Sequence, residues 1–200
     1  ATGGDCPAPG IDSSTGSAEL AWPDIAFDAS GNLHLLYLKE RSDGLARDIM
    51  YSMKAASGTT FSTPVTVMNA GNSGRPSLVV EAGNKISIGD VFLTGTTVNF
   101  RVTTNASGSF ASSTVATHTP LTPTTEITNG FLKVNATGRK VMGVGVVGKN
   151  GSTFVSTYFR LAYETSPGIW AQETMDTDVA GAYIQNPAMI VRPNKSVTAL

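Results

Sequence analysis

The sequence predicts an all-β repeat protein, built from four-stranded antiparallel sheets of the β-propeller type. Apolar segments of strand length alternate with turns rich in Gly, Asn, Ser and Thr, and no stretch has a sustained helical period. The last residues of four equivalent strands are Asp28, Glu81, Asn135 and Arg192, which follow one another at intervals of 53, 54 and 57 residues. A strand-only repeat of this length is typical of propeller blades, because each sheet needs a neighbour to cover its face.

The first unit gives the order of the strands, which we label A to D. Residues 29–32 form the predicted A–B turn, where Gly31 and Asn32 accept the positive φ of a tight hairpin. Strand B is a nearly continuous apolar run, as expected of a strand covered on both faces. The polar stretch 39–47 leads into strand C. The predicted strands are A at 24–28, B at 33–38, C at 48–53 and D at 63–68.

The next units repeat this order. In each, the C–D hairpin has a Gly followed by an aromatic residue, which we expect to pack between adjacent sheets; the pairs are Gly58 and Phe61, Gly108 and Phe110, and Gly168 and Trp170. Gly143 and Gly145 lie inside a strand and predict close packing there. The predicted strands are 76–81, 86–93, 98–104 and 113–117, then 131–135, 141–147, 156–163 and 171–175, with 187–192 and 196–200 beginning a fourth unit.

The organisation expected from the repeat is an N-terminal tail or closing segment at 1–20, followed by a continuous array. Its units span about 21–70, 71–125 and 126–180, and a partial fourth occupies 181–200. Propellers close with four to eight blades, so an array of three complete units would leave an open edge. The chain is therefore expected to be a fragment of a longer protein, or partner chains complete a ring or stack.

Composition excludes several functions and suggests a location. Charged residues make up 14% of the chain, its net charge is -1, and no basic stripe exists that would bind nucleic acid. The longest apolar runs, such as 141–147, are too short to span a bilayer. A single cysteine, Cys6, excludes an intrachain disulfide framework. Low charge with abundant Thr, Ser, Asn and Gly favours an extracellular or cell-surface protein.

Candidate ligand-binding residues are expected at one end of the sheets, where the B–C loops and the connections from D to the next A meet. These connections are residues 39–47, 69–75, 118–130 and 176–186. Trp22, immediately before strand A, either stacks on a sugar ring or seals the contact between sheets. The candidate set is Trp22, Asp43, Arg47, Arg75, Glu126, Asp178 and Tyr183.

No metal or cofactor site is predicted. Asp176 and Asp178 offer only two carboxylates, fewer than a hard cation needs. His34 alternates with leucines inside strand B, so we expect a packed histidine with a satisfied hydrogen bond. His118 lies in a predicted loop without a nearby His, Cys or Asp, and no spacing for zinc, haem or iron–sulfur ligation is present.

The chain resembles the sialidase-like, Asp-box (BNR) repeat family of β-propellers over about residues 21–200. The resemblance rests on segments 23–37, 48–52 and 57–65, although Lys54 and Ala56 stand where the family's box has Ser and Asp. Sialidases bind the substrate carboxylate with an arginine cluster and use a Tyr/Glu nucleophilic pair and an acidic proton donor. The resemblance implies that Arg75 would belong to such a cluster, with Glu126, Asp43, Asp178 and Tyr183 as sources of the acid and the nucleophile.

The function expected from the sequence is a non-catalytic binding or structural module that recognises carbohydrate or protein surfaces. The degenerate boxes and the absence of an assembled catalytic constellation favour this expectation over an enzyme. Two alternatives stay open: a fragment of a sialidase-like glycoside hydrolase, and a subunit of a surface assembly or filament whose open sheet is paired by a neighbour.

Overall fold

The structure is a computed structural model, and its described part consists of antiparallel β-sheets. The described residues are 20–41, 47–69, 75–106, 108–119, 124–127, 130–135, 137–150, 153–179, 189–191 and 197–199. Within these ranges there is no α-helix, and the helical conformation is limited to a single 3-10 turn at Ala82–Asn84. The all-β prediction is confirmed.

The first sheet has the predicted A–B–C–D order, with each strand paired to the next along the chain. Its apolar residues alternate between two faces, and most strands extend beyond the residues predicted for them. The strands are β1 (Leu20–Phe27), β2 (Leu33–Glu40), β3 (Arg47–Lys54) and β4 (Val65–Asn69).

The second sheet repeats the same order of four strands. Its two central strands are the most deeply buried, because a further sheet packs against each of their faces. The strands are β5 (Ser77–Glu81), β6 (Lys85–Thr94), β7 (Thr97–Thr104) and β8 (Ala111–His118).

The third sheet differs from the prediction in its first strand. Two short strands, β9 (Thr124–Ile127) and β10 (Phe131–Val134), pair with successive parts of β11 (Lys140–Asn150). Residues 118–130 were expected to form a loop, but Glu126 and the β-branched residues beside it pair with the distal half of the long β11. The sheet continues through β12 (Thr153–Ser166) and β13 (Ile169–Val179).

A separate hairpin follows, formed by β14 (Met189–Val191) and β15 (Val197–Ala199). It lies where the sequence predicts the first two strands of a fourth unit.

The A–B turns of the first and third sheets have the same construction. Asp28 Oδ1 accepts hydrogen bonds from the backbone N–H groups of Ser30 and Asn32. Asn135 Oδ1 accepts the equivalent bonds from Thr137 and Arg139. Gly31 and Gly138 occupy the positive-φ position, with φ of 80° and 79°. The glycine at this point is required because the turn needs a left-handed residue.

Two hydrophobic cores lie between consecutive sheets. One joins side chains of the first and second sheets: Leu36, Leu38, Ile49 and Met68 pack with Leu78, Ile86 and Ile88. The other joins the second and third sheets: Val91, Val98, Phe100 and Val102 pack with Leu132, Met142, Val144, Val146 and Ala162. The second sheet is thus covered on both faces.

The predicted aromatic contacts between sheets are present for two of the three C–D hairpins. Phe110 of the second sheet packs edge-to-face on Tyr51 of the first, with ring centroids 5.1 Å apart. Trp170 of the third sheet packs against the core shared with the second. These rings come from a hairpin of one sheet and contact the sheet before it in the chain.

Hydrogen bonds between the sheets recur at the repeat interval. Asp24 Oδ2 accepts from the backbone N–H of Leu78 at 2.7 Å, a separation of 54 residues. One unit later, Ser77 Oγ donates to the carbonyl oxygen of Leu132 at 3.3 Å, a separation of 55 residues. Strand β5 accordingly contacts β1 on one side and β10 on the other. Each first strand therefore lies beside the equivalent strand of the next sheet.

The face of the third sheet that points away from the second sheet carries a separate apolar cluster. It is formed by Phe131, Val141, Phe159, Leu161 and Tyr163. A Cβ added to Gly143 would come within 2.5–2.8 Å of three of these side chains, which come from β10 and β12 of the same sheet. The close packing at this glycine therefore lies within the third sheet, whereas we expected packing between neighbouring sheets. Each described sheet is open, and no closed ring is formed among the described residues.

Candidate functional site

Three of the residues selected from the sequence meet at one end of the first two sheets. The guanidinium carbon of Arg47 lies 5.2 Å from the centroid of the Trp22 ring, and that of Arg75 lies 5.5 Å from it. Arg47 begins β3, and Arg75 precedes β5. The B–C side of the first sheet and the connection into the second sheet therefore share one end, as predicted; we call this end the loop end.

Trp22 reaches this position through an irregularity in β1. The register with β2 shifts between Ala21 and Asp24, so Trp22 and Pro23 form a β-bulge inside the strand rather than lying before it. Trp22 has a φ of 52°, which is uncommon for a bulky residue and which the following proline further disfavours. Strain of this kind costs about 1–3 kcal/mol and is concentrated at functional sites.

Arg75 is the residue of the second unit that is equivalent to Trp22 in the first unit. Both residues lie six positions before the end of their strand A and directly before a proline, Pro23 or Pro76. Because β1 and β5 lie side by side, the two equivalent positions become neighbours. The stacking of Arg75 on Trp22 is thus a consequence of the repeat itself.

The chemistry of the Trp22–Arg47–Arg75 cluster is suited to anions. A guanidinium that lies over an aromatic ring uses its π-face for that contact, while its N–H donors lie in the plane of the group and point past the ring. Those donors match the spacing of carboxylate, sulfate or phosphate oxygens. Arg75 is exposed, and Trp22 is half-buried against the core between the first and second sheets.

Arg41 and Arg101 are each paired with a carboxylate. Arg41 binds Asp48 through its Nε and its Nη2, the latter at 2.8 Å. Arg101 Nη2 donates to Asp90 Oδ2 and to the carbonyl oxygen of Asn69, the latter at 3.0 Å. These pairs fix the framework around the cluster.

Four candidate residues are not shown to join the cluster. Asp43 and Tyr183 lie outside the described residues. Glu126 lies in β9, where it pairs with Val147 of the third sheet. Asp178 pairs with Thr157 near the end of β13, so the predicted loop from residue 176 begins later than expected because the strand continues to Val179.

Sequence reasoning did not find two polar networks that each contain a histidine. His34 Nδ1 and Tyr51 Oη are 2.6 Å apart, and His34 Nε2 lies 3.4 Å from Asp28 Oδ2. His118 Nε2 and Tyr158 Oη are also 2.6 Å apart, in a contact between the second and third sheets. Each tyrosine lies on a different strand from its histidine, so no local sequence pattern marks these pairs.

The environment shifts the pKa values within both networks. Burial raises the pKa of Tyr51, and the charge of Asp28 adds to that increase. Burial alone would raise the pKa of Asp28, but hydrogen bonds from Asn32, His34 and Ser30 outweigh it and hold the pKa below its usual value. Tyr51 therefore stays protonated beside His34 Nδ1. The prediction of a packed His34 is confirmed, and its Nδ1 has the expected hydrogen-bond partner, whereas its buried Nε2 has none of standard geometry among the described residues.

The described part of the chain contains no group of three or more His, Cys, Asp or Glu side chains placed to hold a metal ion. It also contains no helix with the length and apolar character needed to cross a membrane.

Comparison with known proteins does not assign the chain to a family. It matches no protein-family model, and no curated protein matches its sequence.

Proposed function

We propose that this protein is an extracellular, non-catalytic recognition module of the β-propeller type, which binds an anionic group on a carbohydrate or protein surface. The observation that carries this proposal is the pair of guanidinium groups over the Trp22 ring at the loop end. The resemblance to Asp-box repeat proteins, stated from the sequence, supports the same type of fold and ligand.

The propeller arrangement is supported by the way the three sheets follow one another. Their first strands, β1, β5 and β10, are consecutive neighbours, and the same ties between sheets recur one repeat apart. In a propeller the first strands of the blades line a central axis. The loop end would then be one face of the disc, where longer connections carry binding residues.

The anionic ligand is favoured by charge and geometry together. Arg47 and Arg75 bring two cations to one indole, while the whole chain carries a net charge of -1. The attraction is therefore local, and a ligand must present its negative group at this place. The bulge in β1 at Trp22 and Pro23 places the ring within reach of both arginines.

The experiment is a binding measurement with acidic and neutral oligosaccharides of the same length, using wild-type protein and an Arg75→Gln variant. We expect uronic-acid or sulfated oligosaccharides to bind more tightly than neutral ones, and the binding to weaken as salt is added. Loss of one charge-assisted, bidentate contact should weaken binding about 10-fold to 100-fold. Isothermal titration calorimetry at two salt concentrations gives these values.

The matched control is Arg139→Gln, which removes the same charge at an A–B turn, at the other end of the third sheet. It should bind as wild type does. Equal losses in both variants, or equal affinity for acidic and neutral ligands, would refute a specific site at Trp22. Release of reducing sugar from an acidic glycoside would instead support the glycoside hydrolase alternative.

A further inference from the structure

Strand C of the second and third units carries an arginine at the same position, Arg101 in β7 and Arg160 in β12. In the pairing with strand B, Arg101 stands opposite Asp90, whereas Arg160 stands opposite Val144. Asp90 and Val144 are equivalent, because each lies nine residues after the end of its strand A. The third unit therefore keeps the arginine of the second unit but has valine in place of its carboxylate.

The arginine of the second unit has a complete environment. Its Nη2 donates to Asp90 Oδ2 and to the carbonyl oxygen of Asn69 in the first sheet. Its guanidinium carbon lies 4.5 Å from the centroid of the Phe92 ring. The positive charge of Arg101 is thus compensated by a carboxylate from the neighbouring strand.

The arginine of the third unit has only neutral acceptors among the described residues. Arg160 Nη1 donates to Thr174 Oγ1 at 2.7 Å, and its Nη2 donates to Gln172 Oε1 at 3.4 Å. Its Nε is buried and has no hydrogen-bond partner in the described part of the chain. A buried donor of a charged group without an acceptor is unfavourable, so this position is suited to an added anionic acceptor.

His118 and Tyr158 lie beside this guanidinium, at the junction of the second and third sheets. His118 Nε2 is 2.6 Å from Tyr158 Oη, and the two rings meet edge-to-face with centroids 5.5 Å apart. The charge of Arg160 adds to the effect of burial in lowering the pKa of His118. All three side chains are half-buried, and the bond from Arg160 to Thr174 is exposed, so solvent reaches the group.

We propose that Arg160 and His118 form an oxyanion site between the second and third sheets, where a sulfate or carboxylate group supplies the negative charge that Asp90 supplies in the second unit. The guanidinium offers paired donors that match the oxygens of such a group. The imidazole adds a charged donor when it is protonated. Because an anion favours the protonated imidazole, the anion and the proton should each strengthen the binding of the other.

The charged groups around His118 leave this coupling to Arg160. Among the described residues, Arg160 and Tyr158 are the titratable groups that face His118 from β12, and β13 contributes the neutral Gln172 there. Glu126 in β9 and Glu173 in β13 stand opposite Val147 and Leu161, on the other face of the third sheet. Neither carboxylate is therefore placed to compensate Arg160.

This inference does not rest on the function proposed above. Trp22 packs against the core between the first and second sheets, whereas Arg160 and His118 lie between the second and third. Either anion site can fail without the other.

The test is an NMR titration of the two histidines of the chain, in sodium sulfate and in sodium chloride of equal ionic strength. We expect sulfate to raise the pKa of His118 by about 0.5–1 unit, since a bound anion favours the charged imidazole. His34, which is 3% exposed in the first sheet, should not respond and is the internal reference. The His118→Gln variant assigns the signals. A shift of this size means that sulfate binds about 3-fold to 10-fold more tightly when His118 is protonated.

Arg160→Gln should remove the effect of sulfate, and its His118 should titrate at a higher pH than in wild type even in chloride, because a repelling charge is gone. Arg160→Lys keeps the charge without the paired donors and should show a smaller sulfate effect. Arg139→Gln, which removes a charge at an A–B turn, should behave as wild type. Circular dichroism establishes that each variant is folded. The same His118 pKa in sulfate and chloride, or a sulfate effect that persists in Arg160→Gln, would overturn the proposal.

A sulfated oligosaccharide in place of inorganic sulfate identifies the source of the anionic group. If its effect on His118 is lost in Arg75→Gln, the group belongs to a ligand that is also bound at the loop end. If its effect is unchanged in Arg75→Gln, the oxyanion site binds the group independently. An effect of inorganic sulfate alone identifies a site for a free ion. Each of these three results supports the oxyanion site, and the absence of any effect on His118 contradicts it.

Discussion

At the scale of single residues, the polar groups of the interior determine how this protein responds to acid. His118 is partly buried between the second and third sheets and contacts the Tyr158 hydroxyl. Burial lowers the pKa of His118, and the nearby charge of Arg160 lowers it further. Burial also raises the pKa of Tyr158, so the phenol stays protonated beside the imidazole.

Stability should therefore fall on mild acidification. In the unfolded chain His118 takes up a proton near pH 6.5, whereas in the folded protein it does so only at lower pH. The folded state gains this stability above the unfolded pKa and loses it as the pH decreases from about 6.5 through the lowered folded pKa. Urea unfolding from pH 5 to 8 should show this slope, and His118→Gln should reduce it. An unchanged slope in the variant would contradict this assignment.

The residue-scale features were only partly predictable. Burial of His34 followed from its place among leucines in an apolar strand, because alternation fixes which face a residue occupies. Its partner Tyr51 is 17 residues away on β3, and the contact depends on the register between β2 and β3. Arg47 and Arg75 were selected because they lie in connections, and the structure brings both to Trp22.

At the scale of strands, an ion pair joins the second and third sheets. Lys140, the first residue of β11, places its Nζ 3.1 Å from Glu81 Oε1, and both side chains are about 10% exposed or less. Ser87 Oγ also donates to Glu81, and Lys85 lies 3.6 Å from its Oε2. The carboxylate of Glu81 on β5 is thus contacted by one neighbouring strand of its own sheet, β6, and by one strand of the next sheet, β11.

Removing one partner of this ion pair should destabilise the protein more than replacing both partners with apolar residues. Lys140→Met leaves the Glu81 carboxylate buried with only the more exposed Lys85 as a cation, and should cost about 2–3 kcal/mol. The double variant with Glu81→Leu should recover most of that cost. Lys133→Met, at an exposed position of β10, is the control and should change stability by less than about 0.5 kcal/mol. Additive effects in the double variant would show that the two residues are not coupled.

Strand order was predictable from the repeat, whereas strand irregularities were not. The bounds of β6 and β7 differ by at most one residue from those expected, because apolar runs and flanking glycine turns mark them locally. The bulge at Trp22 and Pro23 arises from how β1 pairs with β2, which the sequence of β1 alone does not specify. Strand β9 was missed because Pro and Thr around residue 120 read as a connection, while its pairing partner lies more than 20 residues later.

At the scale of the whole molecule, the structure is a succession of equivalent sheets. In the second and third sheets, one apolar face is covered by the preceding sheet, which is why Leu78 and Leu132 are buried whereas Ile25, at the equivalent position of the first sheet, is exposed. The interval between units in the sequence predicted this succession. The interval did not reveal which of its two faces a sheet packs against the preceding sheet. That choice depends on which set of alternating residues the neighbouring sheet covers.

The radial arrangement of the sheets is the central claim of this account, since it would place the loop end on one face of a disc. Small-angle X-ray scattering of the wild-type protein, at a concentration where its mass is known from sedimentation, tests it most directly. Sheets around a common axis predict the scattering of a flat disc or of a sector of one. A profile with the constant cross-section of a rod would show that the sheets stack in a line, and would contradict the account.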